Sequence, residues 1–457
     1  MSSPKFHVAI CGGGIGGLAT AVAFAKYPDI TVDIYEAAPK FSEVGAGIGV
    51  WPRIWKTLAK LGIDEELAQV TALKPTYNEV DTFIFRKADQ PEGLDFYKLV
   101  TQGSFIRYHR PDFLQVLINH IPSTYNTHFL HRLQTYNRLP SGKIELVFEN
   151  GVKSTCDILI GADGIKSSVR RKLLTEQAAD ALKEGRFADA EDLKSKIEPH
   201  WTGIVAYRAL IPTERLAAYR DANADKNIRV PQTTSIPIMY MGQHVNVVVY
   251  PISKGKVINV AAFHAKEELA GTTFPGPWVT NVEKDDLLAT HSHWEPELKG
   301  ILECVEKPSR WAIHMVKPLR SWVKGSVALL GDAAHAMSPQ QASGAGQAIE
   351  DAYILATLLG HPLTTLQNID EVLEIYDSIR RPMATEVQER SLLNGRYFGL
   401  QLPGLDSTTE FDRLPEIGEA IKANWSWTWS TTLDKSIQDA LRMLENSEGL
   451  GMAQARL

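Results

Sequence analysis

A glycine-rich segment near the N-terminus constrains the fold of this 457-residue chain more than any other feature. Gly12, Gly14 and Gly17 form a G-x-G-x-x-G turn between an apolar run and an alanine-rich run, which predicts a strand, a tight turn and a helix. Such a turn lets a pyrophosphate approach the helix N-terminus. A second apolar run ends at Glu36, where an acid can accept hydrogen bonds from a ribose. The pattern predicts a dinucleotide site.

Two later segments also place glycine and aspartate at the end of an apolar run. The run ending at Ile160 is followed by Gly161-Ala162-Asp163-Gly164. The run ending at Leu330 is followed by Gly331-Asp332. Ligands of α/β folds bind at the carboxyl ends of parallel strands, so both motifs are expected at the same sheet edge as the first turn. The first turn alone occurs in both NAD dehydrogenases and flavoproteins. The two later motifs, taken together with it, favour a flavoprotein.

Taken in order, the three motifs resemble those of the FAD-dependent aromatic hydroxylases, the class A single-component flavin monooxygenases. The segment from Ser338 to Gln347 is similar to the Pro-x-Gln-Gly-Ala-Gly-x-Gly-Gln pattern of the salicylate hydroxylase-like fungal branch. The resemblance covers roughly residues 5 to 390. It implies an α/β fold in which a Rossmann-like FAD-binding domain is interleaved with a mostly antiparallel β-sheet substrate domain, followed by a helical C-terminal tail.

Composition along the chain supports this arrangement. β-Branched and aromatic residues dominate Gly203–Ile211, Ile236–Met241, Val245–Pro251 and Val257–Ala265, which predicts a mostly antiparallel sheet. Ala178 to Ile197 has no sustained apolar stripe and is expected to form surface helices. We predict the FAD-binding domain (first part) at 1–175, a helical insertion at 176–200, the substrate-binding sheet domain at 201–320, the return of the FAD-binding domain at 321–390 and a helical C-terminal region at 391–457.

The resemblance implies which residues hold FAD. Small residues from Gly45 to Gly49 would let the isoalloxazine pass, and Asp332 would accept hydrogen bonds from the ribityl chain. The helix that opens at Gly344 would direct its positive end at the flavin pyrimidine, where reduced flavin carries negative charge. The implied cofactor-binding residues are Gly12, Gly14, Gly17, Glu36, Gly49, Arg110, Asp163, Asp332, Gly344, Ala345, Gly346 and Gln347.

Two of these assignments have a structural alternative. Arg110 would reach back toward the cofactor by resemblance, but it could instead pair with Asp112 on a solvated helix face. Asp163 belongs to a motif associated with FAD and reduced nicotinamide, but it could instead hold the following loop through Arg170.

The catalytic residues are predicted from the chemistry of phenol hydroxylation. A positive charge and a hydroxyl donor together polarise a phenol toward phenolate. Similar dearomatising hydroxylases place an Arg and a Tyr at positions corresponding to Arg208 and Tyr240, and Pro339 would lie beside the flavin carbon that reacts with oxygen. Tyr250 and His264 are second candidates for the substrate pocket. The alternatives are that Arg208 braces the flavin and that Tyr240 packs in the sheet.

The chain departs from the salicylate-type pattern at two positions. Relatives often carry His where Gln340 stands and Gly where Ala342 stands. An amide does not titrate, so Gln340 cannot deprotonate a substrate, which weakens an assignment to salicylate. His335 is expected to anchor its turn. The Trp425-Ser426-Trp427-Thr428-Trp429 segment is expected to serve packing or a dimer contact, with a ligand platform as the alternative.

The resemblance implies a monooxygenase that uses FAD, with NADH or NADPH as co-substrate and O2, to hydroxylate a phenolic acid or related phenol. Oxidative decarboxylation of the salicylate- or 4-hydroxybenzoate-1-hydroxylase type is one form of this reaction. One alternative is a dearomatising hydroxylase or epoxidase of a polyketide or terpenoid pathway. Another is a non-catalytic flavin-binding redox protein, against which the Asp332 and Pro339 motifs argue.

Charge and cysteine content exclude several other classes. A net charge of -6 and a pI near 6.1 argue against nucleic-acid binding through a basic surface. The three cysteines show no metal or redox spacing, which favours a reducing, cytoplasmic location and no bound metal. No apolar run reaches the roughly 18 residues of a membrane span. We expect a monomer or homodimer acting on a small aromatic substrate.

Overall fold

The computed structural model describes residues 4–42, 47–71, 73–230 and 236–454. The strands are, in chain order, β1 Phe6–Cys11, β2 Ile30–Tyr35, β3 Gly47–Val50, β4 Glu79–Lys87, β5 Leu94–Gln102, β6 Ile106–His109, β7 Asn126–His128, β8 Leu133–Arg138, β9 Ile144–Phe148, β10 Lys153–Cys156, β11 Ile158–Gly161, β12 His200–Pro212, β13 Ile238–Gly242, β14 Val245–Ile252, β15 Val257–Ala265, β16 Val279–Asn281, β17 Ser309–Met315, β18 Val323–Lys324 and β19 Val327–Leu329.

The helices are α1 Ile15–Phe24, α2 Pro52–Leu61, α3 Asp64–Val70, α4 Arg110–Asn119, α5 Ser168–Lys183, α6 Phe187–Ser195, α7 Thr213–Ala222, α8 Lys284–Ala289, α9 Pro296–Glu303, α10 Asp332–His335, α11 Gly344–Gly360, α12 Ile369–Phe398, α13 Leu414–Trp425, α14 Trp427–Ser430 and α15 Asp434–Gln454. Short 3-10 turns include Pro339–Gln341.

A six-stranded sheet with the order β18-β19-β11-β1-β2-β7 forms the first layer. β1 pairs in parallel with β2 and β11, and β11 pairs in parallel with β19. Val8, Ala9 and Ile10 are fully buried, as expected for a central strand covered on both faces. The carboxyl ends of β1, β11 and β19 therefore meet at one edge, which brings the three sequence motifs together as predicted.

A second sheet of eight strands has the order β16-β17-β12-β15-β14-β13-β4-β5. Its pairings are antiparallel except for the parallel pair of β13 and β4. β15 has the predicted bounds, and the three other predicted strands all form with small shifts at their ends. The mostly antiparallel sheet is thus confirmed.

The strands of residues 79–102 differ from the sequence prediction, which placed them in the FAD-binding domain. β4 and β5 complete the eight-stranded sheet, where Phe83 and Phe85 pack in an apolar cluster with Met239. Two other predicted boundaries fall inside helices, since α5 begins at Ser168 and α12 continues to Phe398. Boundaries drawn from composition mark changes in local pattern, whereas packing joins segments that are distant in sequence.

The two faces of the eight-stranded sheet have different coverings. One face packs on α7, α8 and α9 through an apolar cluster that contains Tyr240, Val247 and Ala262. The other face contributes Met239 and Val248 to a cluster with Trp51, Phe398 and Trp425. We call these the helix face and the cofactor face of the sheet.

Candidate active site

The glycine-rich turn after β1 has no room for side chains at two positions. Gly12 has a φ of +113°, and a Cβ there would lie 2.2 Å from the carbonyl oxygen of Ala162. A Cβ at Gly17 would lie 1.9 Å from the carbonyl oxygen of Gly12. Gly14 precedes α1, whose first turn contains no acidic residue. A pyrophosphate can therefore approach the backbone of this turn closely and lie at the positive N-terminal end of α1.

Glu36 lies directly beside this turn. One carboxylate oxygen accepts a hydrogen bond from the Gly13 amide at 2.7 Å, and the other accepts one from the Ala38 amide at 2.6 Å. The carboxylate is therefore held at the end of β2, where an adenosine ribose of a bound dinucleotide would present its hydroxyls.

The turn after β1 and Glu36 form one end of a candidate cofactor groove at the carboxyl edge of the parallel sheet. Its other end lies after β19. Asp332 begins α10 with an exposed carboxylate, a position that allows contact with a ribityl chain. At the start of α11, Gly344 and Ala345 are partly exposed, and no acidic residue occupies the first turn. These residues could hold a cofactor as the sequence predicted.

The next two residues of α11 are buried. A Cβ at Gly346 would lie 2.6 Å from the side chain of Ile54, so this glycine serves the contact of α11 with α2. Gln347 is fully buried, and its Oε1 accepts a hydrogen bond from Arg380 at 2.8 Å. The Gln347 side chain therefore belongs to a buried cluster of charges, and a contact of its backbone amide with the cofactor stays a prediction.

Asp163 has a structural role in the loop after β11, and the cofactor contact expected by resemblance stays a prediction. Its carboxylate accepts hydrogen bonds from the Ser167 hydroxyl at 2.5 Å and from the Ser168 and Val169 amides at 2.7 and 3.2 Å. These contacts satisfy the N-terminus of α5. Burial raises the pKa of Asp163, and these hydrogen bonds oppose the rise. Asp163 therefore shapes the loop after β11, although Arg170 bonds backbone carbonyls rather than this carboxylate.

A two-stranded ribbon of β3 and β6 lies close to the cofactor face of the eight-stranded sheet. A Cβ at Gly47 would lie 2.5 Å from Oη of Tyr250, and a Cβ at Gly49 would lie 2.2 Å from the ring of Phe105. Gly49 is thus required by packing. Gly45 and Ala46, which belong to the same predicted flavin-side segment, are outside the described residues.

Pro339 begins the 3-10 turn that leads to α11. Ala342 follows the turn with a φ of +50°, a left-handed conformation that favours glycine. Ala342 packs in the same apolar cluster as Met239 and Val248. The Pro339–Ala342 turn therefore faces the cofactor face of the sheet, with Pro339 partly exposed.

Three arginine side chains act electrostatically on Tyr250 at this place. Burial raises the pKa of the Tyr250 hydroxyl, and the positive charges of Arg208, Arg107 and Arg110 oppose the rise. Burial lowers the pKa of Arg107 to about 10, and burial and the charge of Arg110 lower that of Arg208. We call these four residues the arginine cluster.

Within the described residues, Arg208 has no carboxylate within ion-pair distance. Its guanidinium instead lies 4.7 Å from the ring centre of Trp311. A desolvated cation without an internal counter-ion favours binding of an anion. Sequence reasoning missed Arg107, although its position in β6, three residues before Arg110, was a usable signal.

Tyr240 does not join Arg208, which corrects the predicted catalytic pair. Cross-strand register aligns Arg208 with Ala261, and Ala261 with Val248. The same register aligns Tyr240 with Val247, which is the neighbour of Val248 in β14. Tyr240 and Arg208 are therefore offset by one residue. Because neighbouring residues of a strand point to opposite faces, Tyr240 lies on the helix face.

On the helix face, Tyr240 is fully buried and donates a hydrogen bond to Glu297 Oε1 at 2.9 Å. Glu297 also receives two hydrogen bonds from Arg229, at 2.7 and 3.0 Å. Burial and the charge of Glu297 raise the pKa of Tyr240. Tyr240 therefore ties β13 to α9, in agreement with the packing alternative.

His264 is also on the helix face and is not part of the arginine cluster. Its ring lies 5.2 Å from that of Tyr207 and 5.1 Å from that of His291. The Nε2 atoms of His264 and His291 are buried and have no hydrogen-bond partner among the described residues. His264 therefore lies on the opposite sheet face from the arginine cluster, which corrects its predicted place in the same pocket as Arg208. The pocket role of Tyr250 stays a prediction.

This histidine pair predicts a pH-dependent stability. Burial lowers the pKa of His264 to about 3 and that of His291 to about 4, below the value of about 6.5 in an unfolded chain. Below about pH 6.5 the unfolded chain therefore binds protons that the folded protein does not, so the free energy of unfolding falls as the pH is lowered. Above about pH 6.5 this contribution is fully present.

Urea unfolding at about pH 7, 6 and 5 measures this dependence. Replacing His264 by Phe should make the fall less steep by up to about 1.4 kcal/mol per pH unit, the contribution of one proton. An unchanged slope in His264→Phe would contradict the assignment.

His335 anchors its turn, as expected. Its Nε2 lies 2.6 Å from Asp351 Oδ2, which also accepts a hydrogen bond from the Gly331 amide at 3.0 Å. Asp351 Oδ1 accepts a hydrogen bond from Arg380 at 2.8 Å. Glu350 bonds both Arg380 and Arg53, so this buried cluster joins α2, α11 and α12 behind the groove. Sequence analysis missed the charged members Arg53, Glu350, Asp351 and Arg380, because the two arginines lie far along the chain from the carboxylates that they bind.

The tryptophan-rich segment serves packing within the chain. Trp425 is buried, and its ring lies 5.1 Å from Trp51 and 5.4 Å from Phe83. Trp429 lies 5.8 Å from Trp51. The expected packing role thus accounts for Trp425 and Trp429.

The groove as a whole fits FAD. It offers a glycine cradle for a pyrophosphate, a carboxylate at each end and two uncapped helix N-termini. Within the part of the chain that the structure describes, no three His, Cys, Asp or Glu residues are grouped to hold a metal ion. No helix among those residues is long and apolar enough to span a membrane.

Comparisons with known proteins agree with this geometry. The model of the FAD binding domain family matches residues 5–234 and 275–391. Salicylate hydroxylase from Pseudomonas putida is 34% identical over 444 residues, which cover 96% of this chain and 95% of that protein. 6-Methylsalicylate 1-monooxygenase from Aspergillus terreus is 31% identical over 450 residues, which cover 96% and 93%.

A solved structure of a salicylate hydroxylase substrate complex superimposes with a TM-score of 0.79 and 30% identity. The superposition covers 96% of this chain and 98% of that structure. The fold, the groove and these relatives lead to one conclusion. The chain belongs to the FAD binding domain family, among the salicylate hydroxylase-like aromatic hydroxylases, and is an FAD-dependent monooxygenase.

Proposed function

We propose that this protein uses NAD(P)H and O2 to hydroxylate a small phenolic acid. The arginine cluster carries the proposal, because it places positive charge on the sheet face that looks toward the Pro339–Ala342 turn. Bound FAD would supply the redox and oxygen chemistry, and the protein would supply binding, orientation and electrostatics.

The arginine cluster gives the substrate its orientation. The Arg208 guanidinium would hold a carboxylate or phenolate, and the Tyr250 hydroxyl would donate a hydrogen bond to the same anion. The Trp311 ring, which lies 4.7 Å from the Arg208 guanidinium, would shield one side of this ion pair from water. Stabilisation of phenolate makes the ring a better nucleophile, which is what hydroxylation requires.

No group that titrates near neutral pH stands at position 340. Gln340 is buried, and its Oε1 has no hydrogen-bond partner among the described residues. An amide can orient a substrate hydroxyl but cannot remove its proton. The positive charge of Arg208 would therefore favour the phenolate by lowering the pKa of the bound phenol.

Attack at the ring carbon that carries the carboxylate would release CO2. The names of two relatives, a salicylate hydroxylase and a 6-methylsalicylate 1-monooxygenase, support a 2-hydroxybenzoate as substrate. A carboxylate and a hydroxyl on adjacent ring carbons could both reach the arginine cluster. We therefore place oxidative decarboxylation of a 2-hydroxybenzoate first among the possible reactions.

A substrate comparison tests this function. Purified FAD-loaded protein is supplied with NADH or NADPH and with salicylate, 6-methylsalicylate, 4-hydroxybenzoate or the uncharged analogue phenol. We expect the hydroxybenzoates to give hydroxylated product with CO2 release and the uncharged phenol to give little product, because it lacks the carboxylate. Hydroxylation of phenol alone, or NAD(P)H consumption without product from any of them, would contradict the proposal.

We further infer a reducing, cytoplasmic environment. Cys11, Cys156 and Cys304 are free and buried, as in proteins that do not depend on disulfides. We infer a monomer or a homodimer, and measurement of molar mass in solution decides between them.

A further inference from the structure

Every polar atom of Gln341, in its backbone and its side chain, forms a hydrogen bond with another segment of the chain. Its carbonyl oxygen accepts hydrogen bonds from the indole N–H groups of Trp51 and Trp425, at 3.1 and 3.2 Å. Its side-chain Oε1 accepts one from the indole of Trp427 at 3.3 Å. Its amide donates to the Ser391 hydroxyl at 3.2 Å. We call Gln341 and the three tryptophans the indole clamp.

The other atoms of Gln341 bind the same C-terminal part of the chain. Nε2 donates to the carbonyl oxygens of Arg390 and Asn424, at 3.3 and 3.5 Å. The residue is fully buried. Residues 390–427 thus fix Gln341 together with Trp51, which directly follows β3.

The clamp lies between the two segments that border the flavin side of the groove. Gln341 follows Pro339 by two residues and precedes Ala342, whose φ of +50° is strained for a residue with a Cβ. Trp51 follows the strand whose Gly47 approaches Tyr250. α12 also holds this turn, because Ser391 hydrogen-bonds to Ser338 and Asn394 donates to the Gln340 carbonyl oxygen at 3.3 Å. The three indole donors are the contacts that connect the turn to Trp51 and to the Trp425–Trp427 segment.

We propose that the indole clamp is a positioning device, through which the C-terminal helical region holds the Pro339–Ala342 turn at the flavin. The inference rests on the proposed monooxygenase reaction for its effect on coupling, but its structural part does not. A displaced turn would leave FAD bound while reducing the share of NAD(P)H oxidation that yields product. The reducing equivalents then pass to O2 and appear as H2O2.

Trp427→Phe tests the clamp, because it removes one N–H donor and keeps an aromatic ring. Trp425→Phe combined with Trp427→Phe removes two donors. Trp429→Phe is the matched control, since Trp429 packs on Trp51 in the same segment but does not donate to Gln341. Hydrogen–deuterium exchange of peptides within residues 337–346 is measured in FAD-loaded protein, with the visible circular dichroism of bound FAD and the H2O2 yield.

We expect exchange of the turn to rise about five-fold in Trp427→Phe, as for loss of one hydrogen bond, and further in the double variant. The flavin circular dichroism should change and the H2O2 fraction should rise in both, with FAD content near the parent value. The thermal midpoint should stay near the parent value in Trp427→Phe and fall in the double variant, because Trp425 is a buried core side chain. Trp429→Phe should match the parent. Equal exchange in all variants, or faster exchange with unchanged flavin circular dichroism, would overturn the proposal.

Failure of the proposed function gives a different result from failure of the clamp. If the parent protein forms no hydroxylated product from any phenol, the reaction is wrong, while exchange and circular dichroism still decide whether the clamp positions the turn. If the parent is well coupled and Trp427→Phe is equally coupled, the reaction stands and the clamp is wrong.

Discussion

Replacement of Arg208 by Gln should lower kcat/KM for a hydroxybenzoate by about 100-fold or more, the usual cost of losing an oriented charge at a reacting group. The guanidinium interacts electrostatically with Tyr250 and Arg110 and has no carboxylate partner among the described residues, so its charge is available to a substrate anion. FAD content should stay near that of the parent. Steady-state kinetics and flavin absorbance on the same samples measure both quantities.

Two further variants sharpen this test. Arg208→Lys keeps the charge but loses the planar fork, so we expect a smaller loss that falls mainly on KM. Tyr240→Phe is the matched control on the opposite sheet face, where only the bond to Glu297 is lost. It should cost about 1 kcal/mol of stability and leave kcat/KM unchanged. Equal kinetic losses in Tyr240→Phe and Arg208→Gln would show that the two residues act together after all.

Gly17→Ala should abolish FAD binding and most of the folded protein. The added Cβ would lie 1.9 Å from the Gly12 carbonyl oxygen, and that backbone atom cannot move without opening the turn. Loss of the turn displaces the N-terminus of α1 from the phosphate site. We expect no yellow protein in the soluble fraction, and supernatant absorbance near 450 nm with gel analysis measures this.

Gly395→Ala provides the control for a glycine substitution in a helix. Its Cβ would lie 3.6 Å from Gln340, an ordinary contact, and alanine favours helix over glycine. This variant should fold and retain FAD. A Gly17→Ala protein that is yellow and stable would show that the turn can open at little cost.

The carboxyl edge of the six-stranded sheet, where the three motifs meet, was predictable from sequence because each motif is local. A glycine that must accept a positive φ, an apolar run and an acid at its end mark β1, β2, β11 and β19 without knowledge of any distant contact. Both ends of β15 could be predicted because the run of β-branched and aromatic residues begins and ends with the strand. Local patterns therefore located the groove.

The substrate side was less predictable, for a reason that Arg208 and Tyr240 illustrate. Which face a side chain occupies depends on the register between strands, and a shift of one residue exchanges the faces. Register between β12 and β13 passes through β14 and β15, so it is a property of the whole sheet. The bonds of Asp163 and Gln347 likewise depend on partners that the local sequence does not reveal.

The parallel pairing of β13 with β4 has a consequence for synthesis of the protein. β4 and β5 leave the ribosome more than a hundred residues before β13, so their hairpin has an unpaired edge throughout that interval. An unpaired strand edge is a template for association between chains. We therefore expect nascent chains to be most prone to aggregation before β13 is made and covers that edge.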